Sequence, residues 1–161
     1  MGRLIAGVLL GYLVMGFAVF TALSLAFMGL GSDRAFRPGV YDVSALWVVV
    51  SFVVGFGAAL LGGWVARRIA RTPSGPLVLA VVVAALGVAM AVLTLLGEAA
   101  DPGLRTGAVG TFEAMSYAQT PIWIMFVNPL VGAVGVLLGG GILSTGSANV
   151  QTDPSSGANV H

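Results

Sequence analysis

Cysteine and lysine are missing altogether, and charge of either sign is scarce. Without a thiol, disulfides, thiolate catalysis and Cys-ligated metal or cluster sites are excluded. All seven basic residues are arginine and the net charge is +1, so no basic stripe is laid out for nucleic acid. Charged residues make up 8% of the chain, against roughly a quarter in soluble domains. So few charges cannot cover a surface facing water. The one histidine, His161, is the last residue, poorly placed to serve as the base of a buried nucleophile or as a metal ligand. HExxH and GxxxxGK[ST] are absent as well. These gaps point away from an enzyme and from a bound cofactor.

What is present is apolar. Hydrophobic residues make up 58% of the chain, in four stretches long enough to cross a bilayer, which takes about 20 residues. The spans are expected at about 4–30, 43–66, 76–97 and 121–143, giving one membrane domain over 1–143. The first stretch exceeds the apolar core of a signal peptide, about 7–15 residues, and reads as a retained span. None of the spans contains Asp, Glu, Lys, Arg or His, which argues against a proton-coupled pump of the usual kind. The tail, 144–161, is small and polar and is expected to be disordered.

Local signals mark the boundaries. Ser44 and Thr120 stand where an N-cap oxygen is needed, Pro76 and Pro121 open the third and fourth spans, and Gly31 and Gly97 close the first and third. The stretch TFEAMSYAQ predicts a short amphipathic turn with Phe112, Met115 and Tyr117 toward lipid. Arg67, Arg68 and Arg71 crowd the second loop without an acid, on the side of Arg3. The other loops mix Arg34, Arg37 and Arg105 with Asp33, Asp42, Glu98, Asp101 and Glu113. The positive-inside rule then places both termini in the cytoplasm, with Arg67, Arg68 and Arg71 on lipid head groups. The outer carboxylates read as solvated loop charges.

The chain also repeats itself. YDVSALW at 41–47 returns as YAQTPIW at 117–123, and Gly55, Leu60, Leu61, Gly62 and Gly63 return as Gly132, Leu137, Leu138, Gly139 and Gly140. Weaker matches join Leu13, Ala18 and Thr21 to Leu86, Ala91 and Thr94. The reading is a duplicated hairpin, with halves of about 1–71 and 72–143 as parallel repeats about the membrane normal. The expected fold is therefore all-α, an integral-membrane four-helix bundle of two parallel-repeat hairpins. Trp47, Trp123, Tyr41 and Tyr117 are expected to anchor the outer interface as an aromatic belt.

At about 100° per residue, each span carries a stripe of small side chains with one uncharged polar group: Thr21, Ser51, Thr94 and Asn128 in turn. Such stripes let helices approach closely where no hydrophobic effect drives them together. Pro129 leaves the Met125 carbonyl without its helical donor and is expected to kink the fourth span. If the stripes face one another, the four polar groups converge in the outer half. They either hold the helices together or line a small path.

Two segments, VSALW…LLGGWVARRI and QTPIW…NPLVGAVGVLLGG, cover spans two and four, and through them the chain resembles small bacterial four-span membrane proteins. The resemblance implies a multi-pass protein of a bacterial inner membrane and transfers no activity and no functional residue. The partner expected is the lipid bilayer, with a membrane protein or further copies of the chain beside it. Two functions follow. One is a non-enzymatic structural or accessory subunit packing through its small-residue faces. The other is a small oligomeric channel or transporter for an uncharged solute or water, lined by the polar four.

Overall fold

The computed structural model describes residues 1–97, 104 and 107–143, without the side chain of Met115. The polar tail and the loop residues Glu98, Asp101 and Arg105 lie outside these. The described residues form helices α1 (Gly2–Leu30), α2 (Ser32–Ala35), α3 (Ala45–Ala70), α4 (Ser74–Leu96), α5 (Thr111–Tyr117) and α6 (Ile122–Gly139). Four of them, α1, α3, α4 and α6, are long and apolar enough to cross a membrane, and they pack as an all-α bundle. Only 11–22% of the apolar window of each is buried within the protein. Lipid has to cover the remaining Leu, Val and Phe side chains.

The helix ends have local causes. Gly31, at φ 75°, closes α1 and donates its N–H to the Phe27 carbonyl at 2.8 Å. Ser44 caps α3: its Oγ accepts from the Trp47 N–H at 3.1 Å, and its hydroxyl donates to the Arg34 carbonyl at 2.5 Å, tying α3 to α2. Gly141, at φ 68°, ends α6 in a Schellman motif, with the Ile142 N–H on the Leu137 carbonyl and the Gly141 N–H on the Leu138 carbonyl. Three boundaries differ from expectation. Helix α4 starts at Ser74, so Pro76 sits inside the first turn, where its missing N–H is still harmless. Helix α6 ends at Gly139, earlier than the expected 143, because of that glycine turn. Thr120 does not cap α6; Pro121 precedes the helix without a side-chain cap.

The small-residue stripes are used inside the bundle. A Cβ added to Gly11 would stand 2.8 Å from the Gly62 carbonyl oxygen, and one on Gly7 would stand 2.9 Å from that of Ala66. That seam joins α1 to one face of α3. On its other face, Gly63 lies against the Val136 carbonyl of α6, and Gly139 against the Leu60 carbonyl. Helix α4 meets α6 where Pro129 fits the notch at Gly87 and where Gly140 meets Pro76. The core of this region is Ala59, Ala66, Leu79, Ala80, Val83 and Val136. It fills the end of the bundle remote from the loops 31–44 and 107–121.

A second core caps the loop end: Phe27, Ala35, Phe36, Tyr41, Val43 and Ala114, with Trp47 packed against it. The Phe27 and Trp47 rings meet edge to face at 5.7 Å, and Phe36 and Tyr41 at 5.8 Å. Here the two echoing segments lie side by side. Asp42 and Gln119 form a parallel bridge, in which the Val43 N–H donates to the Gln119 carbonyl and the Gln119 N–H donates to the Tyr41 carbonyl. Below it α3 and α6 run parallel, with Gly55 beside Asn128 and Ala59 beside Gly135. The outer helices are not packed alike. Gly62 of α3 receives α1, whereas Gly139, its match in the sequence, lies against α3 rather than α4.

Candidate functional site

Between the two cores the bundle is not filled. A cavity of about 450 Å³ lies among all four long helices, walled by Val19 and Leu23 of α1, Ser51 and Gly55 of α3, Met90 and Thr94 of α4, and Met125 and Asn128 of α6. A second cavity of about 510 Å³ lies under α5, reaching Phe27, Phe36, Trp47 and Ala114. Tyr12, Met15, Val19 and Leu23 line both, so one face of α1 looks onto a continuous apolar region.

The space follows from where the small residues stop. Up to Gly11 and Leu79, α1, α3 and α4 touch closely, with a Cβ on Gly11 only 2.9 Å from Leu79 Cδ2. One turn further α1 still lies on α3, where a Cβ added to Gly62 would stand 3.0 Å from Met15 Cβ. Helix α4 stays on α6 through Gly87 and Pro129, and past Val83 only its Ala91 is buried. Helices α1 and α4 thus stand apart in the loop-side half, with the cavity between them.

Three of the four predicted polar residues line the 450 Å³ cavity together, Ser51 half-buried and Thr94 and Asn128 exposed at its open side. Thr21 is half-buried and lines neither cavity. Thr94 Oγ1 donates to the Met90 carbonyl at 2.9 Å, the helix back-bond open to a threonine, which leaves its lone pairs available. Among the described residues, the side chains of Ser51 and Asn128 make no hydrogen bond. The Asn128 amide faces Gly55, where an added Cβ would stand 3.8 Å from its Oδ1. Thr120, freed from capping, joins the lining. No charged side chain takes part. The wall offers hydroxyls and one amide on a hydrocarbon surface, which suits an uncharged ligand and gives no nucleophile or base a partner.

Sequence reasoning missed Tyr12 and the methionines Met15, Met90 and Met125, which line the same space. A tyrosine in mid-span was the one available signal, since methionine side chains adapt to any gap. Pro129 does more than loosen a carbonyl. Its buried ring fills the notch at Gly87 and holds α6 against α4.

The interface residues divide. Trp123 is exposed on the bundle surface, whereas Trp47 is half-buried on Phe27. Tyr117 is exposed and Phe112 is 82% exposed, leaving both free to meet lipid. Tyr41, expected among head groups, is instead buried. Its ring lies 5.5 Å from that of Tyr117, and its hydroxyl donates to Glu113 Oε1 at 2.8 Å. Glu113 is therefore a partner of the cap and not only a solvated loop charge. At the other end Arg68 and Arg71 are exposed and Arg67 is half-buried, with the Arg68 guanidinium 5.2 Å from the centre of the Trp64 ring. A scan against protein-family models, a search of the curated proteins and a search of the solved structures each returned no match, so function is argued from this site alone.

Proposed function

We propose that this chain is a non-enzymatic, multi-pass membrane protein that takes a small uncharged molecule into the cavity between its four long helices. The observation that carries this reading is the convergence of Ser51, Thr94 and Asn128 on one 450 Å³ space without charged lining. That volume lies within the ~300–1,000 Å³ of small-molecule sites, and an apolar wall with a few polar groups is their usual make-up. The packed core of Ala66, Leu79 and Val136 lies across the axis of any path, so the site is a pocket and not an open pore. Positive-inside placement of Arg3, Arg67, Arg68 and Arg71 puts both termini in the cytoplasm and the cavity in the outer half of the membrane. The bacterial resemblance of spans two and four is what supports an inner-membrane setting.

A thermal-shift panel in detergent tests the reading. A ligand that binds only the folded state raises the melting temperature with its concentration. Uncharged amphiphiles should raise that of the wild type and leave Gly55→Leu, whose side chain would fill the space, unmoved. Equal shifts in both proteins would remove the cavity from the account.

The accessory-subunit reading retains one supporting observation. Among the described residues, no helix covers the apolar face of α4 beyond Val83, where Met90, Leu93 and Leu96 are exposed by 61–79%. The small-residue seams that motivated that reading are occupied inside the monomer. A stable protein partner in a native nanodisc preparation would favour it.

A further inference from the structure

We infer that the cavity is entered sideways from the bilayer, between α1 and α4, and that its occupant is the hydrocarbon chain of a neutral lipid whose uncharged oxygen bonds to Asn128. The inference rests on the proposed uptake of an uncharged molecule and adds the route and the ligand class.

The route follows from the rim. Tyr12 on α1 and Leu86 and Met90 on α4 line the cavity and are 39%, 48% and 62% exposed. All three lie within the membrane-spanning segments, on two helices that flank the space. An opening edged by these side chains faces lipid tails. Toward one end the space is closed by the core around Leu79 and Val136; toward the loops it reaches Thr120, beside the small pocket of Arg37, Asp42 and Gln119.

The chemistry of the walls selects the occupant. Water gains little from an apolar cavity, and a hydrocarbon chain from the adjoining leaflet fills it without losing a hydrogen bond. Among the described residues the half-buried Ser51 hydroxyl and the exposed Asn128 amide have no protein partner, and in lipid such donors stay unbonded unless a ligand supplies acceptors. Ser51 lies seven residues inside the Ser44 cap, roughly 10 Å below the interface at 1.5 Å per residue. A charged head group drawn to that depth would be strongly disfavoured. A carbonyl or hydroxyl would not be, and Asn128 with Ser51 can bond either one.

The absence of cysteine supplies the test. Met125→Cys places a single thiol on the cavity wall in place of a flexible apolar side chain. In nanodiscs, a bimane label there should be quenched several-fold more strongly by chain-brominated dioleoylglycerol than by chain-brominated phosphatidylcholine at the same mole fraction. The unlabelled thiol should resist a permanently charged, water-soluble methanethiosulfonate. Val53→Cys, on the exposed lipid side of α3, should be quenched equally by both lipids and thereby reports the folded protein. Reaction with the charged reagent would show an aqueous entrance and overturn the inference while leaving uptake of an uncharged solute standing. Equal quenching by the two lipids, or none at Met125→Cys with Val53→Cys normal, would overturn it as well. A ligand-induced thermal shift absent from the wild type would instead remove the underlying uptake.

Discussion

Replacing Gly11 by alanine should report the close seam between α1 and α3, with Gly16, on an exposed face of α1, as its control. The added Cβ would stand 2.8 Å from the Gly62 carbonyl oxygen, 2.9 Å from Leu79 Cδ2 and 3.1 Å from Ala66 Cβ. Carbon atoms pack best at roughly 3.5–4.0 Å, so α1 has to move away by a good fraction of an ångström. The Gly62 carbonyl belongs to the α3 backbone and Leu79 is fully buried, so neither can yield locally. Overpacking of this kind costs about 1–3 kcal/mol. Gly16, less than two turns further along the same helix, has nothing within 4 Å of its added Cβ. Gly16→Ala should therefore stay within about 0.5 kcal/mol of wild type. The spans remain helical in a denaturing micelle, so helix propensity largely cancels in both variants. Titration of a dodecyl maltoside preparation with sodium dodecyl sulfate, read by Trp47, Trp64 and Trp123 fluorescence, gives the two free energies. Equal stability of Gly11→Ala and Gly16→Ala would refute the seam.

Other expectations follow from single contacts. Gly63→Ala should cost at least as much as Gly11→Ala in the same titration, because its Cβ would run into the Val136 carbonyl of α6. Ser44→Ala should destabilise by about 1 kcal/mol through loss of the cap, while Thr120→Ala, which removes no cap, should stay near wild type. Tyr41→Phe should lose about 1 kcal/mol with its bond to Glu113, and Glu113→Gln less than that, since an amide oxygen still accepts from the hydroxyl. Asn128→Leu should leave the melting temperature unchanged or raised, because no protein hydrogen bond is lost, yet abolish any shift given by neutral amphiphiles.

The spans, the Ser44 cap and the glycine stops were legible because each depends on a few neighbours in the chain. The seams were legible in kind: a stripe such as Gly7 and Gly11 announces a close approach, but periodicity does not name the partner. Here the partner is another helix of the same chain, which removed the motive for seating foreign helices on those stripes. Tyr41 and Thr120 were misjudged for one shared reason. The echoing segments pair with each other across the loops, and that bridge draws Tyr41 inward and turns Thr120 from helix capping to the cavity wall. Thr21 was grouped with the polar four by its place on the small-residue stripe of α1. The outer helices are seated differently on α3 and α6, so matching sequence positions do not have equal surroundings. The cavity itself was not legible, since an unfilled space arises from where helices separate and not from any residue.

The most direct test of the account is native mass spectrometry of the protein released from nanodiscs prepared without detergent exchange. The account predicts one retained uncharged molecule per chain in the wild type and its loss in Gly55→Leu, with both proteins folded by tryptophan fluorescence. A wild type that flies bare, or a Gly55→Leu variant that keeps the same adduct, would contradict it.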